Sequence, residues 1–323
     1  MYSMSHALII PAIILLLFHP LIHSISEITP ASPPTIQNSV RVAIVGFVGP
    51  GAEDSLRIAA TITDALGRDG RVALIDQSIV QPAIAGVGYD RSINLSKDEA
   101  RRVGAAIGCD FFIIGKTEAL ARSTRENESH EEAYAGVMIV DAKTGSLAAF
   151  DFMVAKAETR DAALTVLAKS LSVGASDYVD RILRYIDGRA PGAQASHAGG
   201  DPRESSRSNV DERIEDIPGE GSARAAGFAP PQFLNRVKPE YTSEAEQADI
   251  TATVEAKVVF RSSGEVGSID ITRWAGFGLD QSAEHAIRQL KFKPATRDGK
   301  PVSVRALIRY NFRRVSESEK KPD

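Results

Sequence analysis

The sequence predicts an α+β chain: a three-layer α/β unit followed by a small ββαβ unit with a three-stranded antiparallel sheet. Three observations predict it. Between residues 38 and 187, strand-like and helix-like stretches alternate and then give way to a hairpin, the pattern of a sheet with helices on its faces. Residues 188–226 turn to Gly, Pro, Ser and mixed charges, with almost no large apolar residues. Beyond Pro239 the hydrophobic period runs two, two, helical, two. A chain of 323 residues holds two such units and a linker.

Residues 7–18 are almost wholly apolar, with Pro11 inside the run. The run is short for a spanning helix and suits a secretory h-region, but no Lys or Arg precedes it. Residues 1–24 are therefore a signal peptide or a membrane anchor, and either one exports the rest of the chain. Residues 25–37 are a spacer. Residues 40–47 read as a buried strand and 53–66 as a helix with Leu56, Ala59, Ile62 and Leu66 in register. Residues 72–75 make a second strand. Ser96 and Glu99 form a capping box for a helix ending at Ile107, with Gly108 beyond it. Residues 111–114 are a third buried strand. Two strands, 134–141 and 146–154, flank a turn through Gly145, and 159–187 is a long helix. The linker, 188–226, cannot bury enough surface to offset ordering and is expected to be disordered.

The small unit covers residues 227–314, with a charged tail at 315–323. In the strand 251–260, Val254, Ala256, Val258 and Phe260 alternate with Glu255 and Lys257. Ser262-Ser263-Gly264 turns the chain into the strand 266–274. The helix 279–290 places Ala283, Ala286, Ile287 and Leu290 on one face, with Asp280 expected as its N-cap. Pro294 ends it, and Asp298-Gly299-Lys300-Pro301 makes a tight turn. The strand 302–312 carries Val304, Ala306, Ile308, Tyr310 and Phe312 on one face, and Arg305, Arg309 and Arg313 on the other.

Pro239-Glu240-Tyr241, Gly264-x-Val266, Leu279-Asp280-x-x-Ala283-x-x-Ala286, Phe292-x-Pro294-Ala295 and Asp298-Gly299-Lys300-Pro301-Val302, in this order and spacing, resemble the carboxy-terminal domain of TonB-family proteins. One departure is Tyr241-Thr242, where that family usually has Tyr-Pro; a looser leading turn is expected. Residues 38–187, through the Val-Ala-Ile-Val-Gly-Phe strand, Gly108-Cys109-Asp110 and the Val140-to-Gly145 turn, resemble the amino-terminal domain of TolB and curli-secretion-lipoprotein types of periplasmic domain.

Composition narrows the function classes. A net charge of −4, with acids and bases nearly balanced, argues against nucleic acid as a partner. One cysteine, Cys109, excludes an internal disulfide and a Cys-rich metal site, and is expected to be buried and inert. The six histidines show no ligand spacing, so no metal and no other cofactor is expected. His130 falls in a polar stretch and reads as solvated. Gly46-Phe47-Val48-Gly49-Pro50-Gly51 sits where a phosphate loop would, but no Lys-Ser/Thr follows and Pro50 removes an N–H. No catalytic residue is assigned, and no enzyme activity is expected.

A terminal strand at a sheet edge exposes unpaired backbone groups that invite another chain's strand. The candidate partner-binding residues are Val304, Arg305, Ala306, Ile308, Arg309, Tyr310 and Phe312, with Lys238 and Tyr241 where the domain begins. The arginines suit an acidic partner or a charge-blunted edge; Tyr241 suits a core anchor as well as a contact. Trp274 reads as a core or dimer contact. The TonB resemblance implies a TonB-box segment of an outer-membrane receptor as partner, an inner-membrane motor complex, and a role in energy-coupled transport. The alternative is a periplasmic scaffold or adaptor without transduction. A homodimer through the same strand is also open to such a domain. Either way the protein belongs in the periplasm of a Gram-negative-type envelope, anchored in the inner membrane or secreted after cleavage.

Overall fold

The computed structural model describes residues 39–123, 129–189, 213–218 and 226–314. The expected signal or anchor segment, the spacer, the charged tail and most of the linker lie outside them. Among the described residues no helix is long and apolar enough to cross a membrane.

The first sheet begins with β1 (Val40–Val48). Both of its faces are buried, Val42 and Ile44 toward one side and Ala43 and Val45 toward the other. A strand covered twice must be apolar throughout, which is why it reads as a continuous run. Helix α1 (Ala52–Gly67) returns the chain to β2 (Val72–Leu74), parallel to β1. Helix α2 (Gln77–Gly86) was not legible in the sequence because Pro82 lies inside it; Asp76 starts it by accepting from the Ser78 N–H at 2.7 Å. Helix α3 (Lys97–Ile107) has the expected Ser96/Glu99 capping box and ends at Gly108, φ 77°. Strands β3 (Phe111–Ser123), β4 (Ser129–Asp141) and β5 (Leu147–Ala157) complete the order β2-β1-β3-β4-β5. Helix α4 (Arg160–Arg189) packs with α1 on one face, through Leu164, Leu167, Leu171 and Tyr178. Helices α2 and α3 occupy the other, giving the expected three layers.

The second part opens with β6 (Ile214–Asp216), β7 (Phe228–Ala229), β8 (Gln232–Phe233) and α5 (Ser243–Gln247). It continues through β9 (Ala252–Phe260), β10 (Val266–Arg273), α6 (Leu279–Arg288), β11 (Phe292–Lys293), β12 (Ala295–Arg297) and β13 (Lys300–Phe312). The expected antiparallel trio is β10-β9-β13. It grows to β10-β9-β13-β12-β7, with β6 joined to β13 and β8 paired with β11.

Four expectations change here. Strand β6 falls inside the linker expected to be disordered: Glu215 and Asp216 find Arg297 and Arg305 on the sheet, a match composition cannot reveal. Asp280 is not the N-cap of α6. Gly278, φ 71°, takes that place, and the Asp280 carboxylate turns inward to accept the Ala275 and Gly276 N–H groups at 2.9 and 2.8 Å. The turn after Tyr241 is not loose, because Thr242 caps α5 by accepting the Ala245 N–H and donates to the Phe277 carbonyl. His130 is not solvated; its ring lies 3.0 Å from the buried Glu132.

The two parts share one core. The cluster on the α2/α3 face of the first sheet runs on through Ala245, Ala248, Ile250, Val254, Trp274, Phe277 and Phe312 of the second. Phe277 stands over Gly136, where an added Cβ would lie 2.6 Å from its ring, and packs against Phe150 and Phe152. Trp274, 2% exposed, donates its indole N–H to the Gly145 carbonyl at 2.9 Å. Gly145 has φ 71° and presses so close on Lys97 that no side chain fits there. Asn94 clamps the backbone across the join: its amide donates to the Thr253 and Trp274 carbonyls at 2.9 and 2.7 Å and accepts the Thr253 N–H at 2.9 Å.

Candidate functional site

Strand β13 has two edges. One pairs antiparallel with β9 all the way from Val304 to Phe312. The other is taken in turn by β12, opposite residues 300–302, and by β6, parallel and opposite residues 303–305. From residue 306 to 312 no described strand pairs with that edge.

The turn sets the pairing with β12, and β9 sets which groups face outward beyond it. Arg297 pairs with Lys300 across Asp298 and Gly299, both at positive φ (49° and 78°), a two-residue turn of the I′ kind. The flanking pair of such a turn exchanges its hydrogen bonds, so Lys300 points its backbone groups at β12. Farther along, β9 decides: Thr253 gives its N–H and carbonyl to Asn94, away from β13, so Val254, Ala256 and Val258 exchange bonds with Tyr310, Ile308 and Ala306, and the N–H groups of Leu307, Arg309 and Asn311 turn to the open edge.

Beside the open edge lies a groove of about 610 Å³, lined by residues 233–237, Leu290, Ile308 and Tyr310. Its outer wall is held in place. Asn235 accepts the Lys291 N–H at 2.7 Å and donates to the Gln289 carbonyl at 3.0 Å, and the Tyr310 hydroxyl donates to the Val237 carbonyl at 3.3 Å. Phe233 and Leu234 are exposed there, 43% and 61%. The arrangement offers backbone donors and acceptors along one line and an apolar trough beside it.

The expected contact residues divide into groups. Ala306, Ile308 and Tyr310 are half-buried along the open edge. Val304 and Phe312 are buried in the core and lie opposite Phe260 and Ala252 of β9, so neither is available at the open edge. Arg305 is paired with Asp216 of β6 at 3.3 Å, and Arg309 with Glu255 of β9 at 2.7 Å. Lys238 is exposed where the domain begins. Tyr241 is an anchor, its hydroxyl placed on the Ile250 and Ala245 carbonyls at 2.8 and 3.1 Å. The groove wall 233–237 was missed: its residues show no period and become a site only when Asn235 ties them to the end of α6.

Elsewhere, Gly49 approaches the Thr117 carbonyl so closely that a Cβ would lie 1.9 Å from it, so packing on β3 accounts for this glycine. Cys109 is buried, and burial pushes its thiol up to about 12. Among the described residues no group of His, Cys, Asp and Glu is arranged to hold a metal ion.

No curated protein matches the chain. Three solved structures are similar to parts of it. A hypothetical protein of Chlamydia trachomatis is 12% identical, over 46% of this chain and 98% of its own, with a TM-score of 0.33. A lipoprotein of Neisseria meningitidis is 13% identical, over 45% and 99%, at 0.30. The LpoB carboxy-terminal domain of Salmonella enterica is 12% identical, over 36% and 82%, at 0.26. At such scores these likenesses bear on neither activity nor partners. Residues 237–313, which hold β9, β10, α6 and β13, match the family model of the Gram-negative bacterial TonB protein C-terminal.

Proposed function

We propose that the protein is a cell-envelope protein of the Gram-negative type, exported to the periplasm, that binds an extended segment of another protein by strand addition along residues 306–312 of β13. The observation that carries this reading is the unpaired edge with its apolar groove. Backbone bonds to Leu307, Arg309 and Asn311 supply affinity, and alternate partner side chains fill the groove beside Ile308 and Tyr310. No bond is made or broken. A receptor segment of the TonB-box kind is the partner class that the match over 237–313 supports.

Substitution by proline tests the reading. Leu307→Pro removes an edge-facing N–H and leaves the β9 ladder whole. It is expected to keep the fold and abolish crosslinking to the envelope partner. Ile308→Pro removes an N–H aimed at β9 and should damage the sheet itself. Retained crosslinking in folded Leu307→Pro would falsify strand addition at this edge.

A second reading, a non-transducing adaptor, is supported by the core shared between the two parts. A domain packed on its neighbour reaches less far than one on a free tether. Mass spectrometry of the mature amino terminus separates the two: a chain beginning near residue 25 has no anchor and favours the adaptor.

A further inference from the structure

We propose that β6 is a resident stand-in for the partner's strand, and that the partner segment this edge accepts is acidic and runs parallel to β13. The proposal rests on the strand-addition reading and names the partner's chemistry. Strand β6 pairs Ile214, Glu215 and Asp216 in parallel with Ser303, Val304 and Arg305. Its two acids are met by arginines of the sheet. Arg297 holds Glu215 at 2.7 Å while stacking over Phe228, and Arg305 reaches Asp216 at 3.3 Å. These cations flank the edge just before the open stretch begins.

The hold of β6 is slight. It spans three ladder positions, Ile214 stays 40% exposed, and the Asp216 pair is open to water, where ion pairs contribute little. In register, Ile217 comes level with Ala306, and Pro218 has no N–H with which to extend the ladder. The chain's own strand thus stops where the open edge starts. Strand β6 belongs to the same chain, so it competes for the edge as an intramolecular strand. A longer acidic strand that also covers residues 306–312 would gain every contact β6 makes and add the groove. Seating it fully requires β6 to leave.

The test uses the full chain and a labelled octapeptide copying residues 211–218, Asp-Glu-Arg-Ile-Glu-Asp-Ile-Pro, read by fluorescence anisotropy. Releasing β6 with Glu215→Lys and Asp216→Lys is expected to tighten octapeptide binding about tenfold over the unaltered chain, because the tethered competitor is gone. Locking it with Ile214→Cys and Ser303→Cys, whose Cα atoms are register partners, should abolish binding until a reductant is added. The native Cys109 is buried and stays out of this exchange. Fluorescence of Trp274 checks that each variant is folded. Equal affinity in all three chains, or no binding in any, overturns the proposal.

An uncharged peptide of alternating Val and Thr is the second probe. If it binds the unaltered chain and not Leu307→Pro while the acidic octapeptide binds no chain, the stand-in falls and strand addition survives. If neither probe binds, both fall. A dimer that forms through β6 and disappears on its release would make a second copy the occupant and overturn a separate acidic partner.

Discussion

At the scale of single residues, two buried carboxylates give the fold opposite responses to pH. Glu132 is 7% exposed. Burial pushes its carboxyl up, but Lys156 and His130, with Gln247 from α5, hold it down to about 2. A carboxyl depressed in the folded state adds stability above its ordinary value near 4.5 and loses it as pH falls toward 2. Glu132→Gln is expected to cost about 1–3 kcal/mol at pH 7 and to flatten the acid limb of the melting curve. Asp280 responds the other way. Burial pushes it up to about 6 despite the two N–H groups it accepts. Its folded state holds the proton more tightly than the unfolded chain does, so its contribution is greatest below about 4 and is lost as pH rises through 6. Lys97, Asp270 and Glu284 line the same hollow and shape its local field. The stability gap between the unaltered chain and Asp280→Asn should narrow by about 1–3 kcal/mol between pH 4 and 7. A gap that stays constant in urea titrations across that range would refute the assignment.

At the scale of elements, what the sequence reveals depends on whether a segment's partners are local. Strands β1, β9 and β13 and helix α3 were legible because their signals are periods and caps within a dozen residues. The Ser96/Glu99 box is such a signal, and both of its hydrogen bonds are present. Strand β6 was not legible, since its reasons lie at Arg297 and Arg305. The same holds for Asp280. An acid near a helix start reads as a cap, and only the tight 274–278 loop shows that Gly278 opens the helix while the acid braces the loop. The open edge of β13 was half legible: the strand and its two faces follow from alternation, but its neighbours do not. Asn94 had no sequence signal at all, although it fixes β9 and the loop after β10 to the first sheet. Asn94→Ala leaves three half-buried backbone groups without their side-chain partner. It is expected to cost about 2–3 kcal/mol in chemical denaturation, with the ladder within β9 and β13 still protected from hydrogen exchange.

At the scale of the whole molecule, the joint core makes the two parts one cooperative unit. The chain has a single tryptophan, and it sits at their junction. Trp274 emission is therefore expected to be blue-shifted in the folded state. It should turn red in the same transition as the loss of helical circular dichroism, most of which reports α1, α3 and α4. Two separated transitions would show that the parts melt independently.

The same junction decides how a mechanical load travels. Suppose a bound strand is tugged away from β13. The contact path, from β9 through Asn94 and Trp274 to the Gly145 turn, is stiff from the first ångström. Traction at the edge is therefore carried across the seam around Trp274 to the hairpin of β4 and β5.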